Sequence, residues 1–320
     1  KPELALDMFR EALKKNPDAE ALRVYLANIY EQLKRDPEAI AEYAKISKKD
    51  PKVYSEALKR RLYLLGKNEP ETARKEWEAV LQSAEKEKAW SEELFTAGIL
   101  MFDAMKDFEA ALQVNQLSEK HLPRNPALLY LKGMVLEKKG DWKRGIEVMH
   151  MLLSLNPQHA SALNFIGYVW ADHGVELRRA EKYIRKAIKL RPADALIKDS
   201  LGWVLFKRKK YVEAKTVLMD AHHQEPKESV IAEHLGDTLV KLQEFDEAIK
   251  FYELSLKLGP DNGQAKEHLE QKVAALRRGQ PLDPCEPWGQ MLSRSGSFSN
   301  SDCNTARLHQ PAIRKPTSTP

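Results

Sequence analysis

The chain of 320 residues sets 52 Lys and Arg against 47 Asp and Glu, a net charge of +5, a near balance that does not by itself call for a nucleic-acid partner. Its 42% apolar and 31% charged residues suit a helical chain, and no apolar run approaches the roughly 18 residues that a membrane helix needs. The two cysteines, Cys285 and Cys303, fall outside the periodic part, which therefore uses no disulfide and is silent about redox compartment.

Taken in order, residues 1–17 read as the second helix of a pair without its first: Ala5, Phe9 and Ala12 keep helical spacing and Pro17 closes the segment. A lipid-anchoring or targeting segment is not visible, and an upstream one stays open. Residues 20–53 give a full pair with Ala27, Ala39, Tyr43 and Pro51, which lies 34 residues after Pro17. The unit at 54–90 keeps Ala73 and Trp77 but has Arg61 where its neighbours have alanine or glycine, lacks a closing proline, and ends in the charged run Glu85–Lys88. It is expected to open before the others. From residue 91 the pattern returns with Gly98, Ala110 and Pro123, and 126–159 has Gly133, Gly145 and Pro157.

Three clean units follow at 160–194, 195–228 and 229–262, with Gly167, Gly202 and Gly236, then Ala180, Ala214 and Ala248, then Pro192, Pro226 and Pro260. The prolines recur every 34 residues. Within 195–228, Leu201, Val204 and Leu205, then Val217, Leu218 and Ala221, fall in two helical runs split at Lys207–Lys210. A glycine inside a helix costs about 1 kcal/mol against alanine, so Gly202 needs a packing reason. Close approach of the second helix, where Ala214 and Ala221 are also small, supplies it. A pair of this kind cannot bury its apolar face alone and must stack on its neighbours, so the fixed period predicts a solenoid. Residues 263–279 are predicted to be a terminal amphipathic helix, with Ala265, Leu269, Val273 and Leu276 on one face and Gly279 ending it. Residues 280–320, rich in proline and serine, are predicted to be a disordered tail in which Trp288, Met291, Leu292 and Phe298 stand out.

The spacing of glycine, two small residues and proline resembles the tetratricopeptide repeat, a helix–turn–helix unit of about 34 residues. The resemblance implies an all-α, right-handed superhelical solenoid. Divergent repeats would fill 1–125 (the first truncated), regular repeats 126–262, a capping helix 263–279 and a tail 280–320. The run LNFIGYVWAD…DSLGWVLF…EHLGDTL is similar to the C-terminal repeats of bacterial cell-envelope members of the family, several of them lipoproteins. That similarity implies a periplasmic or outer-membrane-associated setting, with the cytoplasm as the alternative.

Catalytic chemistry finds no foothold. The sequence has no Gly-rich phosphate loop, no HExxH and no nucleophile motif. Cys285 and Cys303 lack zinc-site spacing, and the adjacent His222 and His223 point to different sides of a helix. No catalytic residue, cofactor or metal site is assigned. The resemblance instead implies a ligand groove lined by first-helix residues: Tyr130 and Met134; Asn164, Phe165, Tyr168 and Asp172; Asp199, Ser200, Trp203 and Phe206; Glu233, His234 and Asp237. Tyr168 and Trp203 directly follow their glycines, so they are expected to face away from the second helix. They would form aromatic platforms beside a ladder of carboxylates, suited to an extended peptide with basic or amide-rich character. Packing between repeats is the alternative for these rings. The clamp by which some family members hold chaperone C-termini is absent. Val24 and Tyr168 replace its lysine and asparagine, and the acidic residues would repel a carboxylate. The expected function is a non-catalytic protein- or peptide-binding scaffold in bacterial envelope assembly. The alternatives are an arm of a larger enzyme such as a glycosyltransferase, and an RNA-binding repeat protein.

Overall fold

Sixteen helices and no strand make up the described residues, 2–259 and 263–279, of the computed structural model. Pro260, Cys285, Cys303, Trp288 and the expected tail at 280–320 lie outside the described residues. The chain divides into two compact units, residues 1–139 with 143–148, and residues 140–142 with those from 149 onward. The first holds α1 (Pro2–Lys15), α2 (Glu20–Gln32), α3 (Asp36–Tyr43), α4 (Pro51–Asn68), α5 (Pro70–Glu87), α6 (Glu92–Ala104), α7 (Phe108–His121) and α8 (Pro126–Lys138). Helix α9 (Trp142–Leu155) is divided between the units. The second unit continues with α10 (Ala160–Asp172), α11 (Leu177–Leu190), α12 (Ala195–Lys207), α13 (Tyr211–Gln224), α14 (Ser229–Lys241), α15 (Phe245–Leu258) and α16 (Gly263–Arg277).

The ends of the helices are set by local chemistry. Asp50, Ser91, Asn125 and Asp194 accept backbone N–H groups at the starts of α4, α6, α8 and α12, relieving donors that the first turn leaves unpaired. Between the helices of five of the pairs the chain turns on a left-handed residue: Lys34, Lys106, Gly174, Lys209 and Gln243 all have φ between 57° and 68°. The residue after each bonds back into the preceding helix, Lys210 N–H to Leu205 O and Glu244 N–H to Leu239 O among them, which ends a helix by satisfying its last carbonyls. The basic run Lys207–Lys210 is therefore a turn, with Lys209 as its left-handed member.

In the second unit the repeat glycines do what the sequence requires. A methyl group at Gly202 would lie 2.4 Å from Leu218, one at Gly236 2.4 Å from the Tyr252 ring, and one at Gly167 2.5 Å from Ile184. Each glycine thus admits a fully buried side chain from the second helix of its own pair.

The first unit breaks this rule at the repeat that lost its glycine. Arg61 on α4 ion-pairs with Glu76 of α5 at 2.6 Å. The tight approach moves to Gly66, where a methyl would meet the Met101 carbonyl of α6 at 2.6 Å. Gly98 of α6 receives the Trp77 ring of α5, the preceding second helix, where a methyl would lie 2.5 Å from its carbons. Helices α4 and α5 are also longer than the rest, at 18 residues each. One core joins Leu58, Leu62, Trp77, Phe95, Met101 and Val114 across α4 to α7.

Candidate ligand groove

Of the residues singled out in the sequence, Tyr130 and Met134 are half-buried on α8 in the first unit. The others share the first helices of the second. Asn164, Phe165, Tyr168 and Asp172 on α10, Phe206 on α12, and Glu233 and Asp237 on α14 are half-buried, whereas Asp199, Ser200, Trp203 and His234 are buried.

Trp203 is not an open platform. Only 5% of it is exposed; its ring stacks on His234 of the next repeat at 4.4 Å and on Phe206 at 5.0 Å. The Lys207 ammonium covers it at 4.7 Å from the ring centre. Following a glycine does turn the indole away from the second helix, but the neighbouring first helix then closes over it.

Nor do the carboxylates form an open ladder. Asp199 Oδ1 meets His234 Nδ1 at 2.8 Å with both side chains buried. Lys272 on α16 donates to Asp237 at 2.7 Å and to Glu233 at 3.0 Å, and Tyr252 on α15 donates to Asp237 at 2.7 Å. Burial pushes the His234 imidazole down, and the attraction of Asp199, Glu233 and Asp237 with the Asp199 bond more than reverses it, leaving it raised. Burial likewise raises Asp237, but Lys272 overcomes this and holds its carboxyl low. The network is internally neutralised, so an acidic lure for a basic ligand survives only in part.

The partner that sequence reading missed is Lys272, and a signal for it exists. Asp103 pairs with Lys138, Asp199 with His234 and Asp237 with Lys272, each 35 residues apart. The Asp172 carbonyl accepts from Lys207 at the same separation. One period plus one residue carries an acid on one first helix to a base on the next.

Three polar atoms on this face stay unsatisfied. Asn164 Oδ1, Asp172 Oδ1 and Trp203 Nε1 are buried without a hydrogen-bond partner among the described residues. Buried polar groups are ordinarily paired, so two acceptors on α10 and a donor on α12 are notable. Beside them Lys207 is largely desolvated, which pushes its ammonium down against the pull of Asp172 and Asp237.

The helix pair, its period and its glycine contacts are accompanied by matches to the tetratricopeptide-repeat family models at residues 1–62 and 232–262. The chain is a tetratricopeptide-repeat protein. Among curated proteins it is similar to a tetratricopeptide repeat-containing protein of Pseudomonas aeruginosa, 35% identical over 129 residues, which is 40% of this chain and 22% of that protein. It is also similar to a BBSome complex member of Bos taurus, 24% identical over 194 residues, 57% of this chain and 37% of that one. It thus spans between about a fifth and somewhat over a third of these relatives. Among solved structures, a thermophilic tetratricopeptide protein of Thermus thermophilus superposes with a TM-score of 0.50 at 19% identity, over 55% of this chain and 95% of that one, which speaks for the fold. The tetratricopeptide-repeat fold supports a protein-interaction role in general terms. Among the described residues, no helix is long and apolar enough to cross a membrane.

Proposed function

We propose that this tetratricopeptide protein is a non-catalytic scaffold whose second unit binds an extended peptide along the first-helix face of α10, α12 and α14. The observation that carries the reading is the set of unpaired buried atoms, Asn164 Oδ1, Asp172 Oδ1 and Trp203 Nε1. A peptide backbone is their complement: its carbonyl accepts from the indole N–H, and its amide N–H donates to the acceptors of α10. Half-buried Phe165, Tyr168 and Phe206 supply apolar contact beside them, the residue class that tends to dominate binding. Since Asp199, Glu233 and Asp237 are engaged by His234 and Lys272, recognition rests on backbone amides and apolar side chains more than on ligand charge.

The setting we propose is bacterial envelope assembly, supported by the likeness of the three regular repeats to envelope members of the family. A place in a multiprotein assembly accords with the bovine relative, which is named as a complex member. The test is to select peptides from a random display library on the full chain and measure their affinities for Asn164→Leu and Asp172→Leu variants. Binding should fall at least tenfold in each; the melting temperature should hold for Asn164→Leu, which removes no satisfied hydrogen bond, and drop somewhat for Asp172→Leu, which also takes a charge from beside Lys207. Selected peptides that bind both variants as tightly as the parent would sink the assignment.

A further inference from the structure

A second recognition surface lies in the first unit, where the repeat pattern breaks. Between the start of α4, the end of α5 and the start of α6 is a groove of about 990 Å³. Its origin is the lost glycine. With Arg61 in the slot, α4 makes its tight approach to α6 at Gly66, and Trp77 is the side chain of α5 that reaches Gly98. Towards its C-terminal end α5 leaves the space between α4 and α6 unfilled. In the regular repeats that space is closed by second-helix side chains, as Leu218 and Ala221 of α13 pack with Ile231 and Leu235 of α14.

The groove has apolar walls and a polarised rim. Leu58, Val80, Ala84, Trp90 and Leu94 line it, with Trp90 held by stacking on His121 at 4.2 Å and on Phe95 at 5.6 Å. Lys48 ties one end by bonding Ser83 and Glu87 of α5. Lys52 on the α4 wall and Glu93 on the α6 wall are exposed and have no ion-pair partner among the described residues. Opposite charges thus stand free on opposite walls.

We infer that this groove takes one amphipathic helix of a protein partner, its apolar stripe against Val80, Trp90 and Leu94, its acidic flank beside Lys52 and its basic flank beside Glu93. A helix suits the slot because it satisfies its own backbone, whereas helical walls offer no strand edge on which an extended segment could pair. Anchors three and four residues apart match a slot bounded by helices. The site is separate from the groove of the second unit and needs none of its residues.

The experiment measures fluorescence anisotropy of the full chain with a labelled synthetic helix of about 18 residues, five turns. That peptide has leucines on one stripe, glutamates on one flank and lysines on the other. A scrambled peptide of equal composition is the comparison. The amphipathic helix should bind at least tenfold more tightly than the scrambled one. Val80→Asp should weaken it at least tenfold, and Val212→Asp on α13, an exposed position outside both surfaces, should leave it unchanged. Should Val80→Asp disturb folding, the rim variant Glu93→Lys decides instead: it should weaken binding several-fold at low salt and less at high salt. Equal affinity for the scrambled peptide overturns the proposal. So does binding that neither the wall nor the rim variant alters, or an extended, helix-breaking analogue with proline in the stripe that binds as well as the helix.

Discussion

Replacing Lys272 by methionine tests whether the charged knot of α14, α15 and α16 holds the C-terminal repeat together. Methionine keeps the straight stem and removes the ammonium, whose side chain is only 1% exposed. It leaves Glu233 and Asp237 facing each other without a cation, and Tyr252 with its single bond to Asp237. Breaking a fully buried pair by removing one partner costs about 3–5 kcal/mol. Glu233 and Asp237 keep 26% and 14% of their side-chain exposure, so some charge escapes to water and the lower end, about 3 kcal/mol, applies. That is a roughly hundredfold rise in the open population of α16 and its neighbours. Because repeats are coupled chiefly to their neighbours, the loss should appear as faster amide hydrogen exchange over 229–277, with α10 and α11 little changed. Adding Glu233→Gln and Asp237→Asn to the methionine variant should recover more than half of the loss, since the stranded charges are then gone. A single variant that costs less than about 1 kcal/mol, or a triple variant no better than the single, would show that apolar packing of Leu269, Val273 and Leu276 holds α16 and that the knot is incidental.

Three further outcomes follow from the same packing. Trp203→Ala should cost about 3–5 kcal/mol and lower the melting transition, because the indole is packed between α12 and α14; an unchanged melt with lost peptide binding would instead make it a ligand platform. Gly236→Ala gains about 1 kcal/mol of helix propensity but drives a methyl into the rigid Tyr252 ring at 2.4 Å, so a net loss of about 1–2 kcal/mol is expected by urea denaturation; a stabilised variant would refute the close approach. His234 is raised above 6.5 in the folded chain, facing Asp199 on α12, Glu233 and Asp237 on its own helix, and Lys272 on α16 beyond them. Its contribution is complete below the unfolded pKa and disappears as pH rises through the higher folded value. Denaturation midpoints should therefore fall as pH rises above about 6.5, the ordinary imidazole value, and His234→Gln should remove that fall; a midpoint that rises with pH would contradict the pairing.

The repeat itself was legible because its cause is covalent and local. Glycine, alanine and proline act through what they lack, a side chain or an amide donor, and Gly167, Gly202 and Gly236 each admit a second-helix side chain, although at Gly202 that is Leu218 and not the small Ala214 and Ala221 that the sequence singled out. The groove was legible only as a list of positions. Whether Trp203 is a platform or a packed ring depends on how far the next first helix leans over it, and the single-repeat pattern carries no such information. The carboxylates were misread for a related reason: Asp199 and Asp237 find their bases one residue beyond a full period, a register that is visible only when repeats are laid side by side with an offset. In the 54–90 repeat the substitution of Arg61 was evident, but the relocation of Trp77 to Gly98 depends on where α5 goes once the glycine is missing.

The offset between acid and base makes the order of the repeats matter. Asp199 belongs to one repeat and His234 to the next, and Asp237 needs Lys272 from α16. Excising residues 195–228, a whole period, would bring His234 opposite Asn164 and bury an imidazole beside an amide. Excising 229–262 would set Lys272 against Asp199 and Trp203, with one carboxylate where two now hold it. The last two regular repeats share a backbone, yet they are not interchangeable bricks: each carries half of a charged joint whose other half is cut only into its successor, so neither can be lost cleanly without leaving a buried charge short of its partner.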